Sequence, residues 1–266
     1  LDAGADRLLL GIGGSATSDG GAGMLAELGV RFLDGAGRAV GTTPRELAGL
    51  ASVDASGLDA RLTGLRVEVA CDVDNPLLGE RGASAVFGPQ KGASPEDVGY
   101  LDSVLAHWAG LSGHAELAGR PGAGAAGGLG FALMAFLGAR LEPGVDLVAR
   151  TVGLAEAVSG ADLVLTGEGS VDAQTLAGKT PAGVARAAAA RGVPTVIVAG
   201  RVRPGAEVLL TTGCVALMSS SQGDVVPLAE VLRAAPQSTE RATATVMRLW
   251  THRSGPAGSA DSARTA

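Results

Sequence analysis

Five short segments carry residues suited to chemistry. The first, Gly11-Ile-Gly-Gly-Ser-Ala-Thr-Ser-Asp-Gly-Gly-Ala-Gly23, is glycine-rich, and Ser15, Thr17 and Ser18 add hydroxyl donors to it. Glycines let a backbone approach an anion closely, and the N–H groups of a turn and helix start then bind phosphate or carboxylate oxygens. A tight strand-to-helix turn is the plain alternative. In Cys71-Asp-Val-Asp-Asn-Pro76, Asp72 and Asp74 alternate and share one side if a strand continues through them. A carboxylate there can take a proton from a hydroxyl or hold Mg2+, and Asn75 can orient a hydroxyl. An Asx turn into Pro76 is the competing reading. Val86-Phe-Gly-Pro-Gln-Lys-Gly92 presents Gln90 and Lys91 on a loop, and a lysine is a compact charge suited to phosphate. Pro121-Gly-Ala-Gly-Ala-Ala-Gly-Gly-Leu-Gly130 reads equally as close helix packing or as an anion cradle. Leu165-Thr-Gly-Glu-Gly-Ser-Val-Asp-Ala-Gln-Thr-Leu-Ala-Gly-Lys-Thr-Pro181 places Glu168 and Asp172 in a loop where a metal–nucleotide can lie, with Lys179 just before a helix N-terminus.

Two familiar fingerprints are excluded. Gly11-x-Gly13 lacks the third glycine of a dinucleotide site, and Ala173 stands where a Walker A loop has its first glycine. The histidines His107, His114 and His252 have no metal-ligand spacing, and no nucleophile-elbow sequence supports a Ser-His-Asp hydrolase.

The elements that position these segments follow from patterning. Apolar runs at Arg7–Gly13, Val67–Val73, Asp162–Thr166, Thr195–Gly200 and Cys214–Ser219 alternate with helical patterns, which predicts a largely parallel α/β architecture with a buried first strand. Asp34-Gly35 predicts a hairpin joining Val30–Leu33 to Arg38–Val40. A capping box at Ser94 and Asp97 opens a helix, and Thr43-Pro44 and Thr180-Pro181 give similar start signals. The second of these helices runs to Arg191, and Pro236 divides the last helical stretch. A domain boundary is expected near Gly153–Gly160.

Composition bounds the function. The chain has 266 residues, 42 of them glycine, and a net charge of −6, so a globular protein with no general affinity for nucleic acid is expected. No apolar run is long enough to span a bilayer. Two cysteines, Cys71 and Cys214, make no disulfide framework, which suits a reducing cytoplasm. Lys91 and Lys179 are the sole lysines and Asn75 the sole asparagine, so these positions are suspects for chemistry. Leu1 is no initiator, and the chain reads as starting in mid-protein.

With these five motifs in order from Leu1 to Trp250, the sequence closely resembles the bacterial type-1 glycerate kinases. The resemblance implies ATP-dependent phosphorylation of D-glycerate, usually at the 2-hydroxyl, with Mg2+. It also implies two α/β domains around a cleft, one a Rossmann- or flavodoxin-like parallel sheet assembled from both ends of the chain. On that basis residues 1–155 form the glycine-rich middle domain, 156–252 the C-terminal part of the discontinuous domain, and 253–266 a disordered tail, with an N-terminal part missing. The catalytic candidates are Asp72 as base, Lys91, Asp172 and Lys179. Ser15, Asp19, Asp74, Asn75 and Gln90 are the glycerate-binding candidates. Gly13, Gly14, Gly124, Gly127, Gly128, Gly167, Gly169 and Gln174 are the nucleotide-binding ones, and Glu168 with Asp172 the metal ligands. Ser170 stands where the family commonly has Arg, Ser18 where it has Asn, and Ala173 where it has Gly, and the family's Asp-Ser-Phe-Lys type motif is absent. The rival readings are a non-catalytic anion- or nucleotide-binding fragment, transfer to the 3-hydroxyl, and a nicotinamide-dependent dehydrogenase. A homodimer is left open.

Overall fold

The computed structural model describes residues 1–176, 178–221 and 227–253; the expected tail lies, from residue 254 on, outside them. The chain divides into two compact units, Leu1–Leu147 and Val148–Ala266, the division falling ahead of the expected Gly153–Gly160.

The first unit runs β1 (Arg7–Gly11), α1 (Ala22–Glu27), β2 (Arg31–Leu33), α2 (Pro44–Leu47), β3 (Ser52–Asp54), β4 (Arg66–Ala70), α3 (Ala83–Phe87), α4 (Pro95–Leu111), α5 (Ala125–Leu137) and β5 (Arg140–Glu142). Helix α6 (Gly144–Thr151) carries the division point. Strands β1, β4 and β5 form a parallel sheet in that order. The first strand is therefore an edge, and Leu8 and Leu9 are exposed rather than buried as expected. It also stops at Gly11, which frees Ile12–Ser15 to turn. The predicted hairpin forms only as a turn: Asp34 N–H donates to Arg38 and Val40 N–H to Phe32. The left-handed residue is Gly37, not Gly35, and the regular antiparallel partner of β2 is β3.

The core gathers three of the four phenylalanines. Trp108 in α4, fully buried, meets Phe32 and Phe131 edge-on at 5.1 and 6.1 Å and stacks on Phe136 at 5.9 Å. Burying an indole of this size removes roughly 150–250 Å² from water, on the order of 4–6 kcal/mol. The Ser94–Asp97 capping box forms as expected, as does one at Thr43–Glu46.

The glycine-rich start of α5 is not helical. Ala126, Gly127 and Gly128 are consecutively left-handed, at φ of 54, 69 and 95°. A Cβ on Gly127 would lie 2.0 Å from the Thr17 carbonyl oxygen, and one on Gly128 2.7 Å from Gly20 Cα. Gly20 N–H donates to the Gly127 carbonyl at 3.0 Å. Of the two readings left open for this segment, close packing accounts for these glycines.

The second unit contains α7 (Leu154–Val158), β6 (Val164–Val171), α8 (Thr180–Ala189), β7 (Thr195–Val202), β8 (Cys214–Ser219) and α9 (Leu228–Arg253). Its strands form a parallel sheet in the order β6, β7, β8. The α/β class with parallel sheets is thus what the chain forms. Strand β6 continues past the expected Thr166 because Gly167–Val171 pair with Val198–Val202. Glu168 accordingly sits in the sheet, not in a loop. Lys179, rather than Thr180, is the N-cap of α8. Pro236 lies inside α9 and does not divide it; it removes one backbone donor and the helix continues on both sides.

Gly127→Ala is expected to destabilise the chain by at least about 2 kcal/mol, since a left-handed alanine and a backbone clash add. Gly99→Ala, on the exposed face of α4 with nothing near its Cβ, is expected to stabilise by about 0.5–1 kcal/mol. Urea unfolding followed by circular dichroism measures both. Equal midpoints for the two variants would refute the packing assignment.

Candidate active site

In the first unit, the turn after β1 is built from its own polar atoms. The Asp19 carboxylate accepts from Gly21 N–H at 3.1 Å and Gly23 N–H at 2.9 Å, opening α1. The Trp108 indole donates to the Gly20 carbonyl at 3.2 Å. Asp19 is therefore held as a turn and helix-start residue.

Lys91 reaches this turn from a short 3-10 stretch, Pro89–Lys91, ended by left-handed Gly92. Its ammonium donates to Ser15 Oγ at 3.1 Å and to the Thr17 carbonyl. Partial burial pulls its pKa below the usual 10.5, opposed by the negative charge of Asp19. A compact ammonium satisfies two acceptors at one point, which a planar guanidinium does not match.

Strand β4 ends at Ala70, so Asp72 and Asp74 do not alternate along a strand as expected. Cys71 N–H makes the last rung, to Glu142, and the chain leaves the sheet. Asp72 Oδ1 accepts from Gly144 N–H at 2.8 Å, at the start of α6. Asp74 instead pairs with Arg81 at 3.1 Å, both largely exposed. Asn75 donates from Nδ2 to the Arg81 carbonyl at 2.8 Å, while its own carbonyl accepts from Gly124. The loop-forming reading of Asn75 describes what it does here.

A cavity of about 250 Å³ collects Gly13, Gly14, Ser15, Asp72, Gln90 and Lys91, together with Cys71 and the left-handed Ala126. Burial, then the neighbouring Asp72 charge, holds the Cys71 thiol above its usual range. Gly13 has an ordinary φ and nothing within 4 Å of a built Cβ, so no packing demand explains glycine there. Lys91 also borders a second cavity of about 1200 Å³ beside Asp19, Thr43, Arg45 and Tyr100. Asp74, Asn75, Gly124, Gly127 and Gly128 do not line the smaller cavity. Sequence reasoning missed Gly144, Cys71 and Ala126. Pro143-Gly144 was a usable helix-start signal for the first, whereas nothing in an alanine announces a left-handed backbone.

In the second unit, Gly167, Glu168 and Gly169 border a cavity of about 550 Å³. Glu168 pairs with Lys179 at 3.1 Å. Asp172 Oδ1 accepts from Gln174 N–H at 2.9 Å, and neither residue lines that cavity. A Cβ on Gly167 would meet the Val198 carbonyl oxygen at 2.3 Å, so strand pairing accounts for that glycine. Among the described residues no three His, Cys, Asp or Glu side chains converge on a metal position. Two carboxylates, Glu168 and Asp172, are nonetheless the hard oxygen donors that Mg2+ uses alongside nucleotide phosphates.

Comparison with known proteins adds the following. The glycerate kinase family model matches residues 1–251. The chain is 48% identical over 244 residues to a glycerate kinase of Bacillus subtilis (strain 168), covering 91% of this chain and 64% of that one. It is 45% identical over 222 residues to a glycerate 2-kinase of Escherichia coli (strain K12), covering 82% and 58%. The chain thus spans under two thirds of the length of these relatives. A solved Salmonella typhimurium LT2 structure assigned as glycerate kinase 2 superposes with a TM-score of 0.81 at 41% identity, over 95% of this chain and 67% of that one.

The state of Lys91 is measurable because the chain has two lysines. With lysine labelled biosynthetically with 13C, the Cε resonance lost in Lys91→Arg is expected to titrate below 10.5. Between that midpoint and 10.5 the unfolded chain holds a proton the folded one has released, so stability rises with pH across this window. Added glycerate or phosphate should move the midpoint back up. A midpoint at or above 10.5 in the free protein would contradict the assigned burial.

Proposed function

We propose that this chain, which belongs to the glycerate kinase family, catalyses ATP-dependent phosphorylation of D-glycerate to 2-phosphoglycerate. The observation that carries the reading is the meeting of Asp72 and Lys91 in one small cavity with the Gly13-Gly14-Ser15 turn and Gln90. A volume of about 250 Å³ lies below the roughly 300–1,000 Å³ of drug-sized sites and suits a three-carbon acid.

Asp72 takes the proton of the substrate hydroxyl as its oxygen bonds to the γ-phosphorus, while the bond from that phosphorus to the β-phosphate bridging oxygen breaks and ADP leaves. The Gly144 N–H fixes one carboxylate oxygen of Asp72 and thereby the direction of the other. Lys91 neutralises the substrate carboxylate or the transferring phosphoryl group, exchanging Ser15 and Thr17 for the anion. Ser15 and Gln90 orient the acid. In the second unit Gly167 and Gly169 border the nucleotide in the cavity they line; Gln174 does not line that cavity, and Lys179 reaches it through its pair with Glu168. Mg2+, held by Glu168 and Asp172, would offset phosphate charge when bound with the nucleotide. Positioning and electrostatic stabilisation supply most of the rate in such transfers. We assign residues 156–252 to a discontinuous α/β domain and 1–155 to its neighbour, and the protein to the cytoplasm.

The test is incubation of the chain with D-glycerate and MgATP, read by 31P NMR, which separates 2- from 3-phosphoglycerate. The 2-phosphate is expected. Asp72→Asn keeps the Oδ1 acceptor for Gly144 but loses the base, and should lower kcat by about 10²–10⁴-fold with the fold intact. Unchanged turnover in that variant would remove Asp72 as base; absence of product from the wild-type chain would defeat the activity.

A further inference from the structure

The Ser15 hydroxyl and the Lys91 amine meet at 3.1 Å in the first unit, both half-buried and both lining the cavity of about 250 Å³. The other partner of Lys91 is the Thr17 carbonyl. A carbonyl only accepts, so it holds a Lys91 N–H whether the amine is charged or neutral. A hydroxyl both donates and accepts. When the amine sheds a proton, its lone pair therefore has a donor in reach, the Ser15 hydroxyl, and the pair reverses direction without moving. The hydroxyl hydrogen is not spent elsewhere: among the described residues its other acceptor is the Thr17 carbonyl at 3.5 Å, beyond the length of a good hydrogen bond. Burial favours the neutral amine at Lys91. Lys91 is one of two lysines among 21 basic residues, and an arginine in its place could not give up a proton. Gly13, Gly14 and Ser15 line the same cavity, and the N–H groups of all three donate to no other described residue. The second nucleophile type at this wall, the Cys71 thiol, donates to the Val73 carbonyl at 3.3 Å and is kept protonated by burial and the Asp72 charge.

We infer that Ser15 is a nucleophile with Lys91 as its general base, and that it takes the acyl group of small activated esters. Lys91 Nζ removes the hydroxyl proton as Ser15 Oγ bonds to the ester carbonyl carbon. The carbonyl oxygen becomes an oxyanion, and the N–H groups of the Gly13–Ser15 turn are the donors at hand to stabilise it. As the carbonyl re-forms, the bond to the leaving oxygen breaks and the alcohol departs as its anion, while Lys91 passes its proton to solvent. In the return step Lys91 takes a proton from water as the water oxygen attacks the acyl carbon. The carboxylic acid leaves and Ser15 Oγ regains a proton. The cavity volume limits the acyl part to a few carbons. This activity goes beyond the kinase reading, in which Ser15 only orients the acid, and does not depend on it.

The experiment mixes the 266-residue chain with p-nitrophenyl acetate, follows p-nitrophenolate release by absorbance, and locates the acetyl group by peptide mass spectrometry after an acid quench. Acetyl on Ser15 is the expected result. Ser15→Ala should abolish both the label and the release that the chain adds to the buffer rate. Lys91→Arg keeps a positive charge and its N–H donors but has no base, and should slow release at least about 100-fold. Cys71→Ser should leave label and rate unchanged. Circular dichroism checks the folds, and the position of the label in the wild-type chain decides the matter whatever a variant does. Acetyl on Lys91, Cys71 or elsewhere with none on Ser15 would overturn the inference, as would the wild-type rate in folded Lys91→Arg. Acetylated Ser15 in a chain that phosphorylates no glycerate would uphold it and defeat the kinase reading. Glycerate turnover by a chain that takes no acetyl on Ser15 would overturn it and leave the kinase reading standing.

Discussion

The first unit depends on one backbone-to-backbone contact. The left-handed segment Ala126–Gly128 lies against Thr17–Gly20 so closely that no side chain fits between them, and a single hydrogen bond joins Gly20 N–H to the Gly127 carbonyl. Left-handed backbone costs an alanine of order 1–2 kcal/mol, and Ala126 adopts it at the cavity wall. Trp108 closes the arrangement from beneath by donating to Gly20. With the turn fixed on both sides, Ser15 and Thr17 present two oxygens at a set position, and Lys91 has somewhere to go.

Lys91 and Asp72 are held differently, and the difference suits their chemistry. The ammonium is partly stripped of water and bonded to neutral oxygens, so it gains from an incoming anion. The Asp72 carboxylate is anchored through Oδ1 by the Gly144 N–H, whereas the neighbouring Asp74 is paired with Arg81 on the surface.

Much of this was legible before any coordinates. The five motifs, the parallel strands and the Ser94 capping box all follow from residue type and spacing. Three things were not. Strand length failed at β4 and β6 because a ladder ends or continues according to its partner, and Gly167–Ser170 look like a loop until Val198–Arg201 lie beside them. Glycine is ambiguous in a chain with 42 of them: Gly13 and Gly127 are alike in sequence, yet one borders open space and the other a carbonyl at 2.0 Å from where its Cβ would be. Rarity misled at Asn75, whose amide and carbonyl are spent on the loop that holds Arg81 and Gly124.

The most direct measurement is a crystal structure of the chain with D-glycerate bound. If Asp72 and Lys91 work as a pair, the substrate carboxylate lies against the Lys91 ammonium and the Gly13–Ser15 turn, with its 2-hydroxyl within hydrogen-bond reach of Asp72. Glycerate bound away from this cavity, or with its hydroxyl out of reach of Asp72, would contradict the central claim.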